Sequence, residues 1–281
     1  MKVLIVGGAG FLGSYIADNL VEYDVTVYDI KKNSNHKTIV GNVLDLNLTT
    51  SSFYGFDAVI HTAALTSNMA GTNEDIFQIN SIGTFNVHEA ARRNEITKVI
   101  STSSETVYGY FMQNVSLNNM PKELPINETY LTNPKDTYAL NKVIGENIAK
   151  FYAYNYQMNT AVIRPPWIVS PKDYEVHLGF INGGKSGGER GQSAFPFNCF
   201  NTHAWVDVRD LANAYRIVLE KNTSFEIYNV NSDDSTLNFP LSIIYKGVES
   251  FEKFYDLRSG LSNEKIKALG FRPFYNRSHL I

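Results

Sequence analysis

The chain has 281 residues, enough to bury a sizeable core without disulfide or metal staples. Its 25 Lys+Arg against 28 Asp+Glu give a formal charge of -3, with no basic excess of the kind that suits nucleic acid or an anionic membrane. One cysteine, Cys199, excludes an intramolecular disulfide framework and a multi-cysteine zinc site, and 43% hydrophobic with 19% charged residues argues against disorder.

Strands and helices alternate through the first half. Lys2 to Val6 is a β-branched and aliphatic run that reads as a strand, and Phe11 to Val21 has helical periodicity. Val25 to Tyr28 is a second strand, ending at Asp29, and a weak strand precedes Asn42. Ala58 to His61 is the next, followed by a long helix over Glu74 to Arg93. Val99 to Thr102 is a strand, Pro134 to Tyr156 a second long helix, and Thr160 to Ile163 a strand ending at Arg164, Pro165 and Pro166. Strands alternating with longer helices indicate βαβ units, so the fold class is α/β, a Rossmann-like doubly wound parallel sheet.

Beyond Pro165 the texture changes. Gly179 to Gln192 holds six glycines with Lys185, Glu189 and Arg190, and reads equally as a surface loop or a substrate lid. Val208 to Leu219 is a helix and Glu226 to Val230 a strand. Ser262 to Leu269 is a final helix, stopped by Gly270 and Pro273. No run reaches the roughly 18 apolar residues of a membrane span, and the expectation is a reduced, soluble, cytoplasmic protein.

Gly7, Gly8, Ala9, Gly10, Phe11, Leu12 and Gly13 sit between the first strand and the first helix. Glycines there permit a tight turn and let backbone approach a pyrophosphate, with the helix N-terminus facing its charge. Asp29 ends the next strand, 22 residues beyond Gly7. A carboxylate there accepts from a ribose 2′-hydroxyl and repels a 2′-phosphate, so the expected cofactor is NAD and not NADP. Lys31 and Lys32 are read as solvated loop charges. Ala63 and Ala64, after His61 and Thr62, leave room for a flat cofactor or serve helix–strand packing equally well. Asn42 and Val43 are placed to flank an adenine ring. The expected division is a NAD-binding Rossmann domain over residues 1–164 and a substrate-binding region over residues 165–281, with segments around 203–230 returning to the core.

Tyr138 and Lys142 stand four apart on a helix, which puts a phenol and an ammonium on one face. A nearby cation favours phenolate and is expected to lower the Tyr138 pKa, fitting the phenol to take a proton from a substrate hydroxyl while hydride leaves for the nicotinamide. A hydroxyl from Ser101, Thr102, Ser103 or Ser104 at the upstream strand end orients the substrate oxygen.

Together, Gly7 to Gly13, Asp29, His61 to Ala64, Thr102 to Gly109 and Tyr138 to Lys142 resemble the extended short-chain dehydrogenases/reductases, which include the NAD-dependent epimerase/dehydratase family. Arg164 to Pro166, His203 to Ala212 and Lys267 to Pro273 match later landmarks of that family, so the resemblance spans nearly the whole chain. It implies that Ser104 assists Tyr138, with Ser103 as the fallback, that Asn80 supports the cofactor side of the site, and that Pro165 borders the cofactor. Relatives that dehydrate sugars carry Asp-Glu after the hydroxyl. Glu105 and Thr106 stand here, one carboxylate only, which disfavours dehydration. Trp167 replaces an asparagine and His203 an arginine of nucleotide-sugar epimerases, with Arg190 or Lys185 as substitute charges. Trp167 and Trp205 equally serve to pack the cap. Ser104, Glu105, Trp167 and His203 form the candidate substrate set, and no metal is expected.

The resemblance implies an NAD-dependent oxidoreductase or epimerase acting on a secondary alcohol of a sugar or nucleotide sugar. The alternative is a non-catalytic NAD sensor or RNA-associated module of the same fold. The expected partner is a small sugar-like molecule, with no nucleic acid and no membrane. A homodimer is expected through the helices Glu74 to Arg93 and Pro134 to Tyr156, the counterparts of a four-helix interface in relatives.

Overall fold

The computed structural model describes residues 1–67, 69–110, 113–114, 121, 123–174, 199–200, 202–221, 224–235 and 258–280. Their strands are β1 (Lys2–Val6), β2 (Asp24–Asp29), β3 (Lys37–Val40), β4 (Ala58–His61), β5 (Lys98–Thr102), β6 (Gln113–Asn114), β7 (Asn159–Arg164), β8 (Trp167–Val169), β9 (Cys199–Phe200), β10 (Trp205–Asp207) and β11 (Phe225–Asn229). Their helices are α1 (Phe11–Asn19), α2 (Leu46–Ser52), α3 (Asn73–Phe77), α4 (Gly83–Arg93), α5 (Thr137–Tyr156), α6 (Val208–Leu219) and α7 (Glu264–Lys267).

Seven strands form one sheet in the order β11-β7-β5-β4-β1-β2-β3, every pair parallel. Parallel strands need crossovers, and the crossovers cover both faces, so the inner strands are largely buried on both sides. Alternation then splits each strand between two cores. Val3, Ile5, Ile60 and Ile100 face Ile16 of α1 and Leu211 and Tyr215 of α6. Leu4, Val6, Val59 and Val99 face Val87 and Ala91 of α4 and Tyr152 of α5. The sheet is doubly wound, as read from the sequence. β1 pairs with both β2 and β4, so strand order reverses there and opens a crevice at the carboxyl ends.

The elements differ from the sequence reading at several ends. α1 stops at Asn19, because Leu20 leaves helical geometry, and Val21 is exposed. The helix expected from Glu74 to Arg93 is three segments: α3, a π turn over Gln78–Ile82, and α4. A capping box of Thr72 and Asp75 starts it, and the Gly83 N–H reaches back five residues to the Gln78 carbonyl. α5 starts at Thr137 instead of Pro134, because the Asp136 side chain caps it by accepting from the Ala139 N–H at 2.7 Å. α7 is four residues long, closed by Gly270 at φ +103°. α2 was not expected; Asp45 caps it. The three-residue β8 and β10 also went unread, and they form a small parallel pair that sets Trp167 opposite Trp205. Among the described residues, no helix is long and apolar enough to cross a membrane.

Candidate active site

Gly7 closes β1 at φ +84°, where a Cβ would stand 2.4 Å from the Ala63 nitrogen. A Cβ on Gly13 would stand 2.3 Å from the Gly7 carbonyl oxygen, so that residue lets α1 lie directly on the turn. Gly10 is the N-cap of α1 and caps it without a side chain. A Cβ added there would meet one atom within 4 Å, the Gly7 oxygen at 3.1 Å, so this side of the turn is open. The start of α1, at Phe11 and Leu12, thus presents the positive end of a helix beside bare backbone, which suits an anionic pyrophosphate.

Asp29 is tied to this turn. Its Oδ2 accepts from the Ala9 N–H at 3.0 Å and its Oδ1 from the Lys31 N–H at 3.1 Å. Each carboxylate oxygen retains a second lone pair, enough for a vicinal diol. Asn33, overlooked in the sequence, donates from Nδ2 to the Gly8 carbonyl at 2.9 Å and pins the following loop onto the turn. Further along, Asn42 is exposed and Val43 buried against Gly83, where a Cβ would lie 2.7 Å from Val43 Cγ2. Ala63 and Ala64 are half-buried, and Ala63 lies beside Gly7. The cradle and its carboxylate fit a dinucleotide with a free ribose 2′-hydroxyl.

Asn80 lies in the π turn, and both ends of its amide bind the Leu65 backbone. Oδ1 accepts from the N–H at 2.8 Å and Nδ2 donates to the carbonyl at 2.9 Å. It braces the segment after β4. Pro165 is buried, and its carbonyl accepts from the Glu105 N–H at 3.0 Å, joining the end of β7 to the turn after β5.

The hydroxyls at the end of β5 separate by partner. Ser101 Oγ is 3.4 Å from His88 Nε2, and Thr102 Oγ1 donates to the His61 carbonyl while pairing with the Tyr215 hydroxyl at 2.6 Å. Ser103 Oγ donates to Glu146 Oε1 at 2.6 Å. Ser104 is the hydroxyl that acts on the Tyr138 phenol, favouring its ionised form, and its Oγ accepts from the Thr106 N–H at 3.2 Å. Ser103 is thus engaged by Glu146.

Lys142 is buried, and its ammonium donates to the Thr102 carbonyl at 2.9 Å, with Nζ 5.5 Å from the Tyr138 ring centroid. The expected lowering of the Tyr138 pKa does not occur in the protein alone. Burial pushes it up to about 12, the Ser104 hydrogen bond opposes, and Asp136 adds to the rise. Spacing on a helix brings the ammonium to the same face but does not reveal how strongly the phenol is desolvated. Burial likewise pulls Lys142 down to about 8, against the field of Glu146.

On the remaining side, Glu105 is buried and accepts a hydrogen bond from the Thr202 hydroxyl. Burial raises it to about 8, with that bond opposing, so it is a neutral acid at pH 7. Its carboxyl is shielded from solvent. His203 follows Thr202 at φ +49°, in the left-handed region, and burial lowers its pKa to about 4. Trp167 is half-buried in β8, while Trp205 is fully buried and donates to Asp234 at 3.0 Å. Gly179 to Gln192, with Lys185 and Arg190, lies outside the described residues.

A family model described as the NAD dependent epimerase/dehydratase family matches residues 3–231. A putative UDP-glucose 4-epimerase of Methanocaldococcus jannaschii is 30% identical over 96% of this chain and 93% of its own length. A dTDP-D-glucose 4,6-dehydratase of Dictyostelium discoideum is 27% identical over 86% of this chain and 60% of its own. Among solved structures, a short-chain dehydrogenase/reductase superfamily protein from Agrobacterium tumefaciens with bound NAD superposes with a TM-score of 0.74 at 18% identity, covering 100% of this chain and 94% of that one.

Proposed function

The chain belongs to the NAD dependent epimerase/dehydratase family, and from that premise we propose that it oxidises a secondary alcohol of a sugar or nucleotide sugar with Tyr138 as the base. The cofactor is the NAD of the family, and the chain is an enzyme. The observation that carries the proposal is the buried Lys142 ammonium, 5.5 Å from the Tyr138 ring centroid and bonded to the Thr102 carbonyl at the strand end that leads to Ser104.

Bound NAD supplies the hydride-accepting ring. In this proposal Gly7, Gly10, Phe11, Leu12 and Gly13 hold its pyrophosphate, Asp29 its adenosine ribose, Asn42 and Val43 the adenine side. Ala63, Ala64 and Pro165 border it, and Asn80 braces the wall. Tyr138 takes the substrate proton, Ser104 shares a hydrogen bond with the same oxygen, and Lys142 supplies positive charge. In the protein alone the phenol keeps its proton, so its basic form is generated in the loaded site. The Ser104 hydroxyl and the Lys142 ammonium are what this chain contributes to that change.

Glu105, Trp167 and His203 complete the substrate side, with residues 1–164 as the cofactor half and residues from 165 onward as the substrate half. A single neutral carboxyl followed by Thr106 favours oxidation or epimerisation over dehydration, which needs a second acid/base group. The non-catalytic reading has no feature in its favour.

Exposed Phe77, Ile82 and Phe85 on the α3–α4 helix, with Leu140 and Phe151 on α5, support a homodimer through these helices. The experiment for the chemistry is a panel of sugars and nucleotide sugars with NAD, read by NADH absorbance and product NMR. NADH release marks a dehydrogenase; interconversion without release marks an epimerase.

A further inference from the structure

Glu146 stands one turn beyond Lys142 on α5, so Tyr138, Lys142 and Glu146 share a face. It is buried, and each of its carboxylate oxygens is engaged. Oε1 accepts from Ser103 Oγ at 2.6 Å and from Arg164 Nε at 2.7 Å, and Oε2 accepts from Arg164 Nη2 at 2.6 Å. Arg164 is buried too, and its Nη1 donates to the Tyr108 hydroxyl at 2.8 Å, which in turn donates to Asn229 Oδ1 at 2.8 Å. Ser103 immediately precedes Ser104, and its N–H donates to the Ile163 carbonyl at 2.7 Å. The carboxylate therefore joins α5, the end of β5 and the end of β7 at one point.

We propose that Glu146 is a positioning residue of the active site. Its carboxylate fixes the strand end that carries Ser104 and supplies the negative charge that faces Lys142. The proposal rests on the reading of Tyr138 and Lys142 as the proton-transfer pair.

The titratable groups around Lys142 are few. Tyr138 and Glu146 share its helix, and Asp136 caps that helix. His61 arrives from β4 with His88 of α4 behind it, both held neutral by burial. Tyr215 comes from α6 and adjoins Tyr138. Arg164 of β7 stands on the far side of Glu146, and Glu105 is held neutral by burial. Burial draws the Lys142 ammonium toward its neutral form, and Glu146 is the charge acting against it. Removing that charge lets burial act unopposed, so the proton leaves at a lower pH.

The test is an NMR titration of the Lys142 Cε resonance in the cofactor-free protein, assigned by its disappearance in Lys142→Met. The wild-type midpoint is expected near 8. Glu146→Gln, which keeps the shape and loses the charge, should lower it by about one pH unit. Glu146→Asp keeps the charge and should restore most of that loss. An unchanged midpoint in Glu146→Gln overturns the proposal. Should that variant fail to fold because Arg164 is left buried and unpaired, the double variant Glu146→Gln/Arg164→Met removes both charges. A lowered midpoint there supports the proposal, and an unchanged one overturns it. The titration needs no substrate, so its outcome is separate from the base assignment, which fails only if Tyr138→Phe turns over normally.

Discussion

The Ser104 hydroxyl acts on the Tyr138 phenol, favouring its ionised form, although the two residues arrive from different elements, the turn after β5 and the first turn of α5. What aligns them is the sheet. Glu105 binds Pro165 after β7, Ser103 binds Ile163 within β7, and Lys142 reaches across to Thr102. The pair is therefore held by three backbone attachments at the carboxyl end of the sheet, next to the crevice where the glycine turn opens.

The adenosine side gives a selectivity prediction. Asp29→Ala removes a carboxylate that repels a 2′-phosphate and accepts from a 2′-hydroxyl. The preference for NAD over NADP should fall by about tenfold or more, since charge-assisted hydrogen bonds and like-charge repulsion each contribute on the order of 1 kcal/mol. Fluorescence titration with both dinucleotides checks it. Equal selectivity in wild type and variant would contradict the ribose assignment.

Glu105 gives a pH prediction. Its folded pKa, about 8, is raised by burial above the ordinary carboxylate value. The folded state thus keeps a proton that the unfolded chain releases. Its contribution to stability is complete below the unfolded pKa and is lost as pH rises through the folded one, at roughly 1 kcal/mol per pH unit between them. Glu105→Gln keeps an acceptor for Thr202 and cannot ionise. Its melting temperature should gain on wild type steadily from pH 5 to about pH 8. A constant difference across that range would show that Glu105 is already ionised in the folded protein.

The apolar residues left exposed on two adjacent helices give an assembly prediction. Wild type should sediment as a dimer, and Phe85→Asp with Phe151→Asp should sediment as a monomer with its far-UV spectrum retained. A monomeric wild type would remove the dimer from the account.

Much of this site was legible in the sequence, because its parts are local. The glycine turn needs only a strand, a helix and the residues between them, and β1 and β4 have the bounds that their apolar runs set. Tyr138 and Lys142 share a helix face by spacing alone. Contacts that join distant elements stayed hidden. Four adjacent hydroxyls in Ser101 to Ser104 look alike until Glu146, His88, Tyr215 and Tyr138 choose among them. Glu146 itself repeats the four-residue interval from Lys142, a signal that was available, but its partner Arg164 lies on another element. The pKa direction of Tyr138 was misjudged for the same reason, since burial is a property of the packed molecule. The π turn left no mark in the hydrophobic period, and β8 and β10 are too short to show one.

The central claim is that Tyr138 takes the proton as the substrate alcohol is oxidised. The direct measurement is single-turnover reduction of bound NAD on adding an accepted sugar, in wild type and in Tyr138→Phe, with NAD affinity titrated in both. The account predicts matching affinities and a rate lower in the variant by about 10²-fold or more. Equal rates in the two proteins would contradict it.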